Sequence, residues 1–86
     1  MDNSVKKRDI YVQCKLGRHF SKENQIEWKT CWIPKKFSIR GNFLKVKQDG
    51  EWENGWEVVE VYTESSWDEL NERSRDHLST RQFSDI

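Results

Sequence analysis

The stretch Trp56-Glu57-Val58-Val59-Glu60-Val61-Tyr62 decides the fold, because its alternation breaks in the middle. Trp56 and Val58 fall on one face of an extended chain, and Val59 and Val61 then fall on the other. Side chains of a strand alternate with a period of two. The slip therefore means either that both faces are covered or that a β-bulge changes the phase. A bulge is the better reading, since a small barrel needs one to bend.

Working outward, Asp49-Gly50 is a hairpin signal. It leads back to a strand, Phe43-Leu44-Lys45-Val46-Lys47, with Leu44 and Val46 inward. Glu53-Asn54-Gly55 reads as a turn flanked by Trp52 and Trp56, so the connection is longer than a minimal hairpin. Upstream, residues 35–41 suit one short helical or 3₁₀ turn carrying Phe37 and Ile39 inward, with Gly41 free to take a positive φ. Pro34 removes a ladder donor and ends a strand over 25–33. In that strand Ile26, Trp28, Thr30 and Trp32 are expected on the inner face. Residues 10–16 alternate as well, with Ile10, Val12, Cys14 and Leu16 on one side, and Gly17 is expected to close the strand.

Downstream, Ser66-Trp67-Asp68-Glu69 has the form of a capping box that opens a helix over 67–80. Trp67, Leu70 and Leu78 give that helix a thin apolar stripe, too thin to hold it alone, so it must dock on the barrel or on another chain. The sum is a mainly β protein: a small SH3-like barrel of four to five strands over residues 10–64, with an appended C-terminal α-helix over 65–81. Residues 1–9 are expected to be a disordered N-terminus and 82–86 a loose tail. An OB-like barrel fits less well, because its five strands would be hard to place in so short a chain.

Eighty-six residues suffice for one domain and not for two. The core must come from few, large side chains, and five tryptophans supply much of it. The chain has two cysteines, no apolar run of membrane-spanning length and a polar start. Free thiols in a reducing compartment are expected, and hence a cytoplasmic protein that does not enter a membrane.

Net charge is zero, yet the halves differ in sign. Residues 1–50 hold 12 Lys/Arg against 5 Asp/Glu, and residues 51–86 hold 3 Arg against 10 Asp/Glu. Three arrangements would account for this. The halves interleave on folding; or a basic face meets nucleic acid; or the acidic end of one copy meets the basic face of the next.

Catalytic and metal chemistry find little support. Cys14, His19, Cys31 and His77 match no CxxC or HxxxH spacing, so neither a metal nor another cofactor is expected. No Gly-rich segment would cradle a phosphate and nothing resembles a nucleophile elbow, so no catalytic residue is assigned. An enzyme would need a pocket joining Cys31 or Cys14 to a histidine. Two binding surfaces remain. For a protein partner, or for self-association, the candidates are Trp52 and Trp56 with the charged C-terminal segment, namely Arg73, Arg75, Arg81 and Phe83. For nucleic acid they are Lys35, Lys36, Arg40, Lys45 and Lys47, interleaved with aromatics. The first is preferred, because the Glu53-Asn54-Gly55 segment beside the tryptophans is acidic.

The run Cys31-Trp32-Ile33-Pro34, Gly41 before the strand that starts at Phe43, Gly55-Trp56-Glu57-Val58, and the ending Arg73-Ser74-Arg75-Asp76-His77 … Arg81-Gln82-Phe83-Ser84-Asp85-Ile86 resemble short, uncharacterised proteins of tailed bacteriophages and some bacteria. The resemblance covers about residues 10–86 and carries no activity or site residues. It implies a phage-related part, acting in a virion or on a host component, and so a place in the host cytoplasm or the virion.

Overall fold

Two hairpins build the sheet of the computed structural model, which describes residues 9–20 and 25–85. The first pairs β1 (Ile10–Phe20) with β2 (Gln25–Pro34), and the second pairs β3 (Phe43–Gln48) with β4 (Glu51–Ser66). A 3₁₀ turn, Lys35–Phe37, follows β2. A second 3₁₀ turn, Trp67–Glu69, leads to α1 (Glu72–Ser79) and then β5 (Arg81–Asp85). The strands form one antiparallel sheet in the order β2-β1-β4-β3-β5. The protein is thus mainly β with one α-helix among the described residues.

β4 joins the two hairpins and bends the sheet. Its first half pairs with β3 and its second with β1, and Glu57 stands opposite both Phe43 and Gly17. Along its length β4 spends an extra residue three times: between the partners of Leu44 and Val46, of Lys15 and Leu16, and of Val12 and Cys14. Each bulge kinks the strand and strengthens its twist. The slip in the valine run is one of them. Val58 stands opposite Leu16 and Val61 opposite Cys14, so both return to the same face.

The core is Tyr11, Val12, Cys14 and Leu16 of β1, Cys31 and Ile33 of β2, Phe37, Leu44 and Val46 of β3, Trp56 and Val58 of β4, and Leu70, Leu78 and Phe83. The basic and acidic halves interleave within the chain. Arg18 and Lys29 face Glu53 at 3.9 and 3.8 Å, and Lys35 meets Glu64 at 2.7 Å.

Several expectations give way. β1 does not stop at Gly17; it runs on to Phe20 because Gly17 leaves room for the Trp28 indole. β2 faces the other way: Cys31 and Ile33 are buried while Ile26 and Trp28 are exposed. The cause is register, since Cys31 stands opposite the inward Cys14. Ile39 is 68% exposed, because the 3₁₀ turn ends at Phe37 and the chain swings out toward Gly41, whose φ is +89°. Glu53-Asn54-Gly55 is no turn but a bulged part of β4. The hairpin turn is Asp49-Gly50 alone, with both residues at positive φ.

The C-terminal segment differs most. Glu69 accepts from the Ser66 hydroxyl and backbone N–H at 2.9 and 3.4 Å, yet this box opens only the 3₁₀ turn. Leu70 then goes extended and turns its side chain into the core. The helix starts afresh with Asn71 as N-cap, its Oδ1 accepting from the Ser74 N–H at 2.8 Å. The expected loose tail is β5, which pairs with β3 and seats Phe83 opposite Val46. The N-terminal segment read as disordered lies, apart from Asp9, outside the described residues, as does Ile86.

Candidate binding surface

Trp52 stands opposite Lys47 on the outer face of the β3–β4 hairpin, 43% exposed, with the Lys47 Nζ 5.8 Å from its ring centroid. Strand parity puts Phe43, Lys45 and Lys47 on this same face, and Phe43 is half exposed. On the far side β5 presents Ser84 opposite Lys45 and Gln82 opposite Lys47. Between Phe43 and Trp52 lies an open groove whose other walls are Arg18, His19, Glu53 and the bulge at Asn54-Gly55. The bulge makes the groove: Gly55, at φ +80°, lets β4 kink there.

The aromatic surface continues across the sheet. Trp28, Gly17, Glu57 and Phe43 follow one another at paired positions on β2, β1, β4 and β3. Trp28 is 53% exposed and lies against Gly17, with the Lys15 Nζ 4.5 Å from its ring centroid. Tyr62 adds a further exposed ring, its hydroxyl donating to Glu60, which raises the phenol's pKa above the ordinary range.

Of the residues proposed for a protein partner, the structure leaves Trp52 and Arg73 at the surface. Trp56 is fully buried. Its Nε1 donates to Glu53 at 3.3 Å, and Arg18 and Lys29 lie over its ring at 5.2 and 4.9 Å. Phe83 is core. Arg75 is spent on structure, donating from Nε to the Trp67 carbonyl and from Nη2 to the Asp68 carbonyl at 2.8 and 2.7 Å. Arg81 is buried against α1 and β2. The C-terminal segment therefore joins the fold and does not form one contact patch with Trp52.

The basic set is divided too. Lys35 is paired with Glu64, and Lys36 lies over its neighbour Phe37 at 5.1 Å. Arg40 is exposed in the loop before β3. Lys45 and Lys47 alone share the aromatic face. Sequence parity places Phe43 there. It cannot place Trp28, because that requires Glu27 and Lys29 to share the inner row with Cys31 and Ile33.

Cys14 and Cys31 meet at paired positions in the core, and both are free thiols. Burial pushes both up, Cys14 to about 11. His19 is exposed near the end of β1, whereas His77 and Cys31 line the same small cavity beside α1. A pocket joining Cys31 to a histidine thus exists, but a reactive thiolate needs a lowered pKa and this thiol is shifted the other way. Among the described residues no three His, Cys, Asp or Glu side chains gather as a metal site, and no helix is long and apolar enough to cross a membrane. Comparison with known proteins finds no matching family model, no matching curated protein and no matching solved structure.

Proposed function

We propose that the protein is a non-enzymatic binding module that holds an extended segment of a protein partner against the outer face of β3 and β4. The observation that carries this is the pair Phe43 and Trp52, two half-exposed aromatics on either side of an open groove. Exposed aromatics of this size are the usual anchors of protein contacts. The charge around them is mixed, with Glu53 in the groove and Glu57 opposite Phe43. Such a surface suits a peptide better than a polyanion. We read the curled sheet as an SH3-like barrel, on the strength of its bulged, doubly paired β4. With the resemblance to short phage proteins, the partner is a virion or host component.

A second reading, single-stranded nucleic acid, is favoured by one observation: Lys45 and Lys47 share the face with Phe43 and Trp52. Lysines track phosphates and aromatic faces stack bases.

Selection of peptides from a random display library, followed by titration of an enriched peptide, separates the two. Trp52→Ala or Phe43→Ala should weaken a peptide by about tenfold or more, and Lys45→Glu with Lys47→Glu far less. If instead an oligothymidine binds at about 50 mM salt, is released at about 500 mM and is lost in the double lysine variant, nucleic acid is the partner. Light scattering on the eluting protein at both salts tests self-association as well.

A further inference from the structure

The curled sheet has two free edges, β2 and β5, and no ladder joins them among the described residues. α1 packs against both strands and bridges the gap. At this seam lies a cavity of about 240 Å³. Its polar lining comes from four elements: Gln13 of β1, Thr30 of β2, Arg73, Ser74 and His77 of α1, and Arg81 at the start of β5. Cys31, Trp32 and Leu78 form its apolar part.

Arg81 is only 8% exposed, and its Nε is buried without a hydrogen-bond partner. Arg81 and Cys31 both line the cavity, which places the Arg81 side chain at its wall. Among the described residues no carboxylate lines the cavity. A cation so poorly solvated favours a counter-charge beside it. An anion bound in the cavity would supply that counter-charge.

We propose that the seam cavity binds a phosphate group, either as the free anion or as a small phosphomonoester. The donors approach from four separate elements. That spread suits the tetrahedral oxygens of phosphate, whereas a carboxylate offers two oxygens in one plane and matches a single coplanar fork. Arg81 supplies the buried charge. Arg73 stands at the rim, and the Gln13 amide, the Thr30 and Ser74 hydroxyls and His77 complete the set. The cavity is smaller than the usual small-molecule site, so the group attached to the phosphate must be small. The site is separate from the groove between Phe43 and Trp52 and stands whether or not that groove binds a peptide.

The test is an NMR titration of the full chain with inorganic phosphate and, separately, with phosphoserine, at constant ionic strength against chloride. Saturable shifts confined to residues 30–32 and 73–81 are expected. Arg73→Gln, which alters only an exposed side chain, should weaken binding about tenfold. Arg81→Met should abolish binding and raise the melting temperature of the phosphate-free protein, because it removes a buried cation whose Nε has no hydrogen-bond partner. Tighter binding of phosphoserine assigns the ester, and tighter binding of phosphate assigns the free anion. Shifts that match those of chloride, or equal affinity in wild type and Arg73→Gln, would overturn the proposal even if Arg81→Met does not fold.

Discussion

The Trp28 indole lies so close over Gly17 that a Cβ at residue 17 would stand 2.9 Å from the ring. That approach lets β1 run straight through a glycine and holds an aromatic on the outer face, where Lys15 covers it.

Gly17→Ala should therefore displace Trp28. Alanine is the better strand residue by about 0.5–1 kcal/mol, but the contact is closer than two carbon atoms tolerate. A net loss of roughly 1 kcal/mol in urea unfolding is expected, with a change in tryptophan emission. In a Trp28→Ala background the same substitution should become neutral or stabilising. An equal cost in both backgrounds would mean that the ring is not what excludes a side chain at residue 17.

Gly55 makes a different demand. A Cβ at residue 55 would find the Arg18 Cγ 3.9 Å away as its nearest neighbour, so space is ample, but the φ of +80° disfavours any L side chain. Gly55→Ala should cost about 1–2 kcal/mol and loosen the groove, while Gly55→Asn should cost less, since asparagine tolerates positive φ. Equal unfolding midpoints for all three proteins would show that β4 needs no kink there.

Arg75 locks the C-terminal segment by holding the Trp67 and Asp68 carbonyls together. Its loss removes two charge-assisted hydrogen bonds, so Arg75→Ala should destabilise by about 1–3 kcal/mol. Lysine cannot reproduce the fork and should not rescue it. Hydrogen exchange should rise first over 72–79 while β1 and β4 stay protected. Uniform loss across the sheet would mean that α1 and the sheet unfold as one unit.

Much of this architecture can be read from the chain. The valine slip at 58–61, the Asp49-Gly50 turn, the inward Leu44 and Val46 and the stop at Pro34 are local signals, and local geometry obeys them. What eludes the sequence is set at a distance. The facing of β2 depends on the pairing of Cys31 with Cys14, which overrides the apparent preference of Trp28 for the interior. The break at Leu70 follows from that side chain's place in the core, and the strand at 81–85 exists only because β3 offers an edge. The lysines of β3 are legible as surface residues by parity, whereas Trp52, which shares parity with the buried Trp56, is turned outward only by the bulge at Asn54-Gly55. The seam cavity is not legible, because its donors come from segments brought together only when α1 bridges β2 and β5.

The paired thiols make the last prediction. Burial, with the Cys31 thiol adding to it, raises Cys14 from an ordinary value of 9 to about 11, so folding favours the neutral thiol. In the unfolded chain the thiol ionises above pH 9 and gains stability that the folded state does not share. The contribution is therefore fully present below pH 9 and is lost as pH climbs toward 11. At pH 10 the loss should be roughly 1 kcal/mol. Urea unfolding of wild type and Cys14→Ala at pH 8, 9 and 10 isolates it from the lysines, which titrate in both. Wild type should lose more stability than the variant across that range, and native Cys14 should resist iodoacetamide at pH 8. Parallel decline of the two proteins, or rapid alkylation of the folded chain, would mean that the pair is open to solvent and that the β1–β2 end of the core is looser than its packing indicates.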